Sequence, residues 1–407
     1  MNLTCTGSGF EIGKAHGRLW RRAVRANLVN FEAGCRAAGL TQAALVESAR
    51  RISQDYGDRI LEEIRGIAAG AEVERERLLV FNLCHGAVFS DECTVLFAMG
   101  DAAAAGKVLF LKNSDKIGGA SMAGPNFYEH KEINVVLAVP PGDEPGVIGV
   151  TAAGCAGIKM GVNTVGVAAG TNIVRTTELR ERTLDRKVDT TEMRALDRIQ
   201  LAREGLRKTS AFEAATYISG RLARQPAATP GNIEFVDSRT GVIVEGSYDT
   251  VALHVVQSGT ASRANAFVAL GDLNDPEDES SRRRYARTQE LLTEHRGKLT
   301  PGLLQQFSQD HSNGPGPNSI CRHGTDYEEE TSQSSMVIEL DREDPGQTRF
   351  WIAMGKPCHA WRHADGHYEG RVERLEQVPP GFADGETWRR FWSEEPNEDA
   401  DAAQAAT

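Results

Sequence analysis

Hydrophobic residues in the first part of the chain recur at the spacing of helical turns. Leu19, Ala23, Leu28 and Phe31 form one such series, and the apolar positions of the stretch 60–71 form another. Because a period of 3–4 residues places side chains on one helical face, the pattern predicts helices from about residue 13 to residue 76.

Glycines in this stretch predict two different structural features. Gly39 followed by Thr41 predicts the end of one helix and the cap of the next. Gly66 and Gly70 lie inside a helical pattern, where each costs about 1 kcal/mol relative to Ala. We therefore expect another part of the chain to pack closely against these two positions.

The hydrophobic period changes at Cys93, where short apolar runs typical of strands begin. Residues 93–99 and 108–113 predict a hairpin with a long loop, and Gly161-Val162-Asn163 predicts a turn. Further segments predict helices in two pieces within 190–222, the second capped by Ser210, and a helix over 280–296. The remaining predicted strands are 134–139, 147–151, 166–170, 232–237, 242–245, 251–256, 335–340 and 348–354. Sheets covered by helices satisfy this order, so the predicted class is α+β.

Charge and composition narrow the function. The chain of 407 residues has a formal net charge of −11, which argues against a nucleic-acid partner. No stretch reaches the roughly 18 apolar residues of a membrane span, and the start of the chain lacks the pattern of a signal peptide. Seven cysteines without CxxC spacing predict neither a disulfide framework nor a zinc site. We expect a cytoplasmic protein with no metal and no cofactor, and a disordered acidic tail over 393–407.

Cys93 stands out through its neighbours rather than by itself. A free cysteine on an apolar strand is usually a small core residue. Here, however, Cys93 begins its strand, and the partner strand ends in Asn113-Ser114-Asp115. The hairpin would bring Asp115 to the level of Cys93, so that a carboxylate lies beside a thiol.

Six segments, in the right order between about residues 9 and 359, carry a family resemblance. They are residues 63–71 in the predicted helices, Cys93-Thr94, Lys112-Asn113-Ser114-Asp115, Gly161-Val162-Asn163 with Gly166, Gly231-Asn232 leading to Asp237, and Asp310-His311 with residues 319–323. Together they resemble the autoproteolytic acyltransferase family typified by fungal isopenicillin N acyltransferase, which also includes β-alanyl-amine hydrolases.

The resemblance implies an N-terminal-nucleophile (Ntn) hydrolase, an αββα four-layer sandwich that cleaves itself before its cysteine. The scissile bond would be Glu92–Cys93, giving a mostly helical leading segment, 1–92, that stays bound to a catalytic core, 93–392. The new α-amine has an ordinary pKa near 7.7–8.0 and could act as the base for its own thiol.

Other roles are carried over by position. Asp115 would hydrogen-bond the new amine, and Arg322 would pair with Asp115 or tune the thiolate. Asn172 and Asn232 would donate to the oxyanion; Asn172 occupies a place that resembles the oxyanion asparagine of bile-salt and penicillin V hydrolases. Such a donor is typically worth about 100- to 1,000-fold in rate.

Two residues depart from the family pattern, and several functions stay open. Glu92 replaces the glycine of the Gly-Cys junction, and Ser114 stands where tryptophan is common. The favoured function is hydrolysis of a small-molecule amide, with loops 117–130 and 258–280 shaping the pocket. The alternatives are acyl transfer between coenzyme A and an amine, a metal-dependent amidohydrolase using His359, His363 and His367, and an unprocessed scaffold protein.

Overall fold

The computed structural model describes residues 7–87, 92–117, 132–184, 196–225, 227–324, 329–363 and 366–377. The predicted tail, 393–407, and most of the loop 117–130 lie outside these ranges. Among the helices of the described residues, none is long and apolar enough to cross a membrane.

Helices occupy the start of the chain and the connections between strands. Thr41 caps the third helix by accepting from the backbone N–H of Ala44, and Ser210 caps the eighth, as predicted. The helices are α1 Gly9–Leu19, α2 Arg21–Ala37, α3 Gln42–Ser53, α4 Asp58–Ala71, α5 Arg75–Leu83, α6 Thr177–Leu184, α7 Arg198–Gly205, α8 Ala211–Leu222, α9 Glu279–Glu294, α10 Pro301–Ser308 and α11 Pro357–Ala360.

The strands form two antiparallel sheets. The first sheet has the order β10-β1-β2-β11-β12-β13, and the second runs from β3 to β9 in chain order. Their bounds are β1 Glu92–Met99, β2 Val108–Ile117, β3 Asn134–Val139, β4 Val147–Ala152, β5 Met160–Asn163, β6 Ala168–Ile173, β7 Gly231–Val236, β8 Gly241–Gly246, β9 Val251–Val256, β10 Gly259–Arg263, β11 Glu330–Leu340, β12 Arg349–Met354 and β13 His367–Arg371.

Two sheets packed face to face are covered by helices on both outer sides. β1 contacts β6 and β11 contacts β5, so the sheets meet. Helices α9, α10 and α11 pack on the first sheet, and α7 and α8 pack on the second. The described residues therefore form the four-layer αββα arrangement, which confirms the predicted fold class.

Helices α1 and α4 touch backbone to backbone, which explains the glycines in the helical pattern. A Cβ atom on Gly66 would lie 2.0 Å from the carbonyl oxygen of Phe10, and one on Gly70 would lie 2.1 Å from that of Lys14. Gly13 and Gly17 face α4 in the same way. The close packing predicted from the sequence is confirmed.

Several predicted boundaries are wrong. Gly161-Val162-Asn163 was predicted as a turn but lies in β5; the chain turns immediately afterwards, where Gly166 adopts a φ of 80° and donates to the carbonyl of Asn163. Asn172 lies inside β6 rather than after it. The short elements α6, β10, α10, α11 and β13 were not predicted; each has eight residues or fewer, which is too short for a clear period.

Candidate active site

The Cys93 thiol faces the second sheet. Cys93 is fully buried and shares a face of β1 with Val95 and Phe97. Phe97 reaches across the sandwich, because a Cβ on Gly241 in β8 would lie 2.4 Å from its ring. Since alternate residues of a strand share a face, the thiol points into the space between the two sheets.

The hairpin register places the predicted carboxylate beside the start of the strand that carries Cys93. Cys93 lies opposite Ser114, and Glu92 lies opposite Asp115. The sequence prediction that Asp115 returns to the level of Cys93 is therefore confirmed. Alternation along the strands nevertheless puts the Asp115 side chain on the other face of the sheet from the thiol, on the side of α9 and α10.

Lys112 is a member of the site that the sequence did not identify. It lies two positions before Ser114 on β2, so its buried side chain shares the face of the Cys93 thiol, and its charge lowers the pKa of that thiol. Its Nζ also donates to the carbonyl oxygen of Lys159, at 2.7 Å. The sequence did offer one indication: Lys112 is an even number of positions from Ser114, so in the predicted hairpin both side chains lie on the same face as Cys93.

Buried charges around the thiol act in opposite directions. Burial raises the pKa of the Cys93 thiol, and Asp115 raises it further, while Lys112, Arg198 and Lys159 lower it. Burial also lowers the pKa of Lys112. A buried amine whose pKa is lowered can exist uncharged, and can then accept the proton of a thiol on the same face of the sheet.

Glu234 on β7 lies near Lys112. It is opposite Gly170 of β6, and a Cβ on Gly170 would lie 3.4 Å from both Glu234 Oε2 and Lys112 Cδ. Burial raises the pKa of Glu234 to about 7, although Lys112 opposes the shift. Within the described ranges, neither carboxyl oxygen has a hydrogen-bond partner. The Cys93 thiol, the Lys112 amine and the Glu234 carboxyl group thus lie near one another between the sheets.

Asn265 contacts the backbone of Cys93, and the sequence did not identify it either. Its Oδ1 accepts from the backbone N–H of Cys93 at 3.3 Å and from Arg284 Nη2 at 2.7 Å. Its Nδ2 donates to the carbonyl of Ile173 at 2.8 Å. Arg284 Nη1 donates to the carbonyl of Cys93 at 2.8 Å. The N–H that cleavage would convert into an amine already faces an acceptor.

Three arginines enclose the carboxylate of Glu92 on the opposite face of β1. Arg175 Nε donates to Glu92 Oε1 at 2.5 Å, Arg322 Nη1 pairs with Oε2, and Arg284 Nη2 lies 3.8 Å from Oε2. We call Arg175, Arg284 and Arg322 the arginine cage. Burial alone would raise the pKa of Glu92, but the cage outweighs burial and holds it well below its ordinary value.

Asp115 and Arg322 lie close together, but their main partners are others. Arg322 Nη1 is 3.9 Å from Asp115 Oδ2, whereas its closer ion pairs are with Glu92 and, at 3.2 Å, with Glu330. Asp115 accepts from the hydroxyl of Ser332 at 2.6 Å. Burial raises the pKa of Asp115, against the opposing effect of Arg322.

Asn172 and Asn232 are neighbours on adjacent strands. They lie directly opposite each other on β6 and β7, and both are fully buried. Asn172 Nδ2 donates to the carbonyl of Ala264, and Asn232 Nδ2 donates to that of Ala266 at 3.3 Å. These carbonyls flank Asn265, so both amides lie against the segment that contacts Cys93, each with one N–H already engaged.

The late histidines do not converge on one point. The rings of His359 and His363 lie 4.3 Å apart, whereas His367 Nδ1 faces the backbone carbonyl of His363 at 2.9 Å. The one potential metal-binding group among the described residues consists of His311, Cys321, His323 and Cys358. Two of the seven cysteines, Cys321 and Cys358, therefore lie in the same cluster.

Comparisons with known proteins give distant structural similarities. No protein-family model and no curated protein matches the chain. A Caenorhabditis elegans ortholog of N-acylethanolamine-hydrolyzing acid amidase shares 13% identity over 60% of this chain and 92% of its own, with a TM-score of 0.38. Penicillin V acylase from Agrobacterium tumefaciens shares 12% identity over 64% of this chain and 83% of its own, with a TM-score of 0.39. A mutant conjugated bile acid hydrolase from Clostridium perfringens shares 10% identity over 70% of this chain and 95% of its own, with a TM-score of 0.38.

Proposed function

We propose that this protein is a self-cleaving cysteine amidohydrolase in which Cys93 becomes the N-terminal nucleophile. One observation carries the proposal: the Cys93 thiol, at the start of a buried strand, shares its face of the sheet with the buried amine of Lys112. Nucleophilic catalysis needs an adjacent proton acceptor, and the intact chain has no free α-amine at Cys93 to serve as one. Lys112 fills that role before cleavage.

The first reaction is an acyl shift within the chain. The thiol gives its proton to the uncharged amine of Lys112, and the sulfur attacks the carbonyl carbon of Glu92. The C–N bond breaks, the nitrogen of Cys93 takes up a proton, and Glu92 is left as a thioester on the sulfur. Water then hydrolyses the thioester, giving a carboxyl group on Glu92 and a free thiol.

After cleavage, the contacts of the Cys93 nitrogen suit an amine. Asn265 Oδ1, which accepts from the N–H in the intact chain, can accept from the amine as well. Asp115 lies at the same level of the hairpin and has a carboxyl oxygen without a hydrogen-bond partner among the described residues. We assign Asn265 and Asp115 to orienting the amine, and the remaining N–H groups of Asn172 and Asn232 to the oxyanion.

Buried hydrogen bonds join the leading segment, 1–92, to the core. Asn27 donates to the carbonyls of Ile133 and Ala153 at 3.0 Å each, and Asn82 donates to that of Gly154 at 2.8 Å. All these groups are buried, and losing a buried hydrogen-bond partner costs about 1–3 kcal/mol each. We therefore propose that helices α1–α5 remain attached to the core.

An activity assay tests the amidohydrolase function. We would incubate wild type, Cys93→Ala and Cys35→Ala with a panel of chromogenic N-acyl anilides. Cys35 is a buried thiol on α2 and serves as the matched control. We expect hydrolysis by wild type and Cys35→Ala, and none by Cys93→Ala. Equal hydrolysis by Cys93→Ala would refute the assignment.

The same assay distinguishes hydrolase from acyltransferase. Adding an acyl-coenzyme A and an acceptor amine allows the thioester on Cys93 to be resolved by the amine instead of by water. We expect free acid as the main product. N-acylated amine as the main product would instead make the protein an acyltransferase that uses the same nucleophile.

A further inference from the structure

A cluster of two cysteines and two histidines lies behind the arginine cage. His311 follows α10, Cys321 and His323 precede β11, and Cys358 lies in α11. Their ligand atoms all lie within 4.8 Å of one another. Segments that are distant in sequence thus bring four metal-ligating side chains to one point.

Hydrogen bonding alone does not explain the cluster. His323 Nε2 lies 3.1 Å from His311 Nε2, 3.4 Å from Cys358 Sγ and 3.7 Å from Cys321 Sγ. An imidazole nitrogen carries either one hydrogen or one lone pair. It therefore cannot form hydrogen bonds with three partners at once, so hydrogen bonds to His323 do not account for all three contacts, even where the two thiols also interact with each other.

The three separations measured from His323 Nε2 are close to those around a tetrahedral metal ion. Zinc binds histidine nitrogen at about 2.0–2.1 Å and thiolate sulfur at about 2.3 Å, so tetrahedral ligand atoms lie roughly 3.3–3.8 Å apart. The three measured distances of 3.1, 3.4 and 3.7 Å are close to this range. A small inward or outward movement of side chains would complete the geometry.

We propose that His311, Cys321, His323 and Cys358 bind a structural zinc ion. Thiolate and imidazole ligands in a tetrahedral set favour zinc, and four protein ligands leave no open position for a substrate. Each thiol releases its proton to solvent when the ion binds. Cys321 is buried and the other three are half-buried, so the ion can enter from the surface.

The zinc site would also position Arg322. This residue lies between the ligands Cys321 and His323, its backbone N–H donates to the Ser332 hydroxyl at 2.9 Å, and its guanidinium pairs with Glu92. Metal bonds on both sides would fix the backbone from which the guanidinium extends. The metal is thus a structural element that supports the cage, and it takes no part in bond cleavage.

Metal analysis of the full-length protein tests the site. We would purify wild type, Cys358→Ser, His311→Ala and Cys35→Ala with zinc present, remove free ion by gel filtration, and measure bound zinc. We expect about one zinc per chain in wild type and in the Cys35→Ala control, and at least a tenfold loss in both ligand variants. Wild type without zinc, or Cys358→Ser with full zinc, would overturn the proposal.

Cobalt substitution keeps the test independent of the folding of the variants. Wild-type protein stripped of metal and loaded with Co²⁺ should show visible absorption typical of tetrahedral cobalt and a thiolate charge-transfer band. Neither feature should appear if the four side chains do not bind metal. Recovery of Cys321 and Cys358 as a disulfide from freshly purified, metal-supplemented protein would also overturn the proposal.

The arginine cage carries a second inference, which concerns the substrate and rests on the proposed function. In self-cleavage the acyl group on the Cys93 sulfur is Glu92. In turnover the substrate's acyl group is attached to the same sulfur and meets the same oxyanion donors. The Glu92 carboxylate therefore marks where the far end of a substrate acyl group would lie.

Charge in the cage favours an anion once Glu92 withdraws. Glu330 lies 3.2 Å from both Arg175 and Arg322, and Asp115 lies 3.9 Å from Arg322. Arg175 and Arg322 would keep these carboxylates, whereas the buried Arg284 would have no carboxylate within ion-pair distance among the described residues, with Asp278 acting on it from farther away. A buried guanidinium without a counter-charge is unfavourable, so the cage would bind a replacement anion.

We infer that the substrate is an amide whose acyl group ends in a carboxylate, with a glutaryl-type skeleton like that of Glu92. The test compares kcat/KM for glutaryl anilide with that for the uncharged pentanoyl anilide of the same length. Arg175 is 44% exposed on its side chain, so Arg175→Met removes one cage charge at the least risk to folding. Arg50→Met, at an exposed ion pair far from the cage, is the control.

The expected results separate this inference from the proposed function. Wild type and Arg50→Met should prefer the glutaryl anilide by about 10- to 100-fold, since a hydrogen bond to a charged group is worth that much. Arg175→Met should lose most of the preference. A Cys93-dependent enzyme that prefers the pentanoyl anilide, or hydrolyses neither, would overturn the acidic-acyl inference alone. Absence of both self-cleavage and hydrolysis would overturn the proposed function too.

Discussion

Replacing Glu92 with glutamine tests whether the arginine cage depends on this carboxylate. The substitution is best made in the Cys93→Ala background, because the chain then stays intact and its folding can be measured. Glu92 is 3% exposed, and two of its partners, Arg284 and Arg322, are buried as well. Glutamine keeps the shape of the side chain but removes its charge, which leaves the guanidinium groups short of a counter-charge.

The expected loss of stability follows from these contacts. Breaking a buried ion pair by removing one partner typically costs about 3–5 kcal/mol. Arg322 keeps Glu330 at 3.2 Å, and the glutamine oxygen can still accept one hydrogen bond. Because these contacts remain, we expect Glu92→Gln to lower the free energy of unfolding by about 2–4 kcal/mol, somewhat less than the typical cost.

Urea unfolding measures this loss, and an exposed ion pair provides the control. Glu76 pairs with Arg50 at 2.5 Å, but both side chains are more than half exposed. Glu76→Gln should therefore change stability by only about 0–1 kcal/mol. If Glu92→Gln lies within about 0.5 kcal/mol of its background, the cage does not depend on Glu92 and the reasoning fails.

The pH dependence of this effect has a definite sign. Burial opposes ionisation of Glu92, but the cage prevails, so the folded-state pKa lies well below the unfolded one. The stabilisation is then fully present above the ordinary carboxyl pKa near 4.3 and is lost as the pH falls through the folded-state value. The difference between Glu92→Gln and its background should therefore shrink in strong acid.

Three further predictions concern the groups around Cys93. Lys112→Met should slow self-cleavage by about 100- to 10,000-fold, the usual contribution of a general base, as followed by gel electrophoresis over time; cleavage at the wild-type rate would exclude Lys112 as the proton acceptor. Asn265→Ala removes the acceptor of the Cys93 N–H and should slow cleavage about tenfold, the effect of losing one hydrogen bond; an unchanged rate would remove Asn265 from the mechanism. The raised pKa of Glu234, about 7, implies stability that is complete below the ordinary carboxyl pKa and declines as the pH rises through 7. Glu234→Gln should flatten that decline in thermal melts between pH 4.5 and 8, and an unaltered decline would contradict the assignment.

Local patterns were enough to predict much of the fold. The hairpin of β1 and β2 was predicted from two apolar runs, and its register brings Asp115 level with the start of β1 as expected. The close packing at Gly66 and Gly70 was predicted because glycine inside a helix is costly without such a reason. These features depend on residues that are near one another in the chain.

Contacts between distant segments could not be predicted in the same way. Asn265 is 172 positions from Cys93, and nothing near it in the sequence marks it as a contact of Cys93. The sequence shows Glu92 only as a departure from the family pattern. Its three arginine partners come from separate parts of the chain, so the cage around it could not be predicted. The cluster of His311, Cys321, His323 and Cys358 lacks the regular spacing of known zinc motifs, so only the folded structure shows it.

Lys112 was missed for a different reason. A lysine within a strand is usually a solvent-facing residue, but here both faces of β2 are buried. Burial of both faces follows from the four-layer packing and is not visible in a single hairpin. The side chain is therefore directed between the sheets, where it meets the Cys93 thiol.

The central claim is that Cys93 cleaves the bond before it, and intact-mass spectrometry tests this most directly. Purified wild type and Cys93→Ala would be incubated side by side and weighed, with N-terminal sequencing of each species. We predict two wild-type fragments, residues 1–92 and 93–407, the second beginning at Cys93, and a single intact chain for Cys93→Ala. A wild-type chain that remains whole after long incubation, or a Cys93→Ala chain cut at the same bond, would contradict the mechanism.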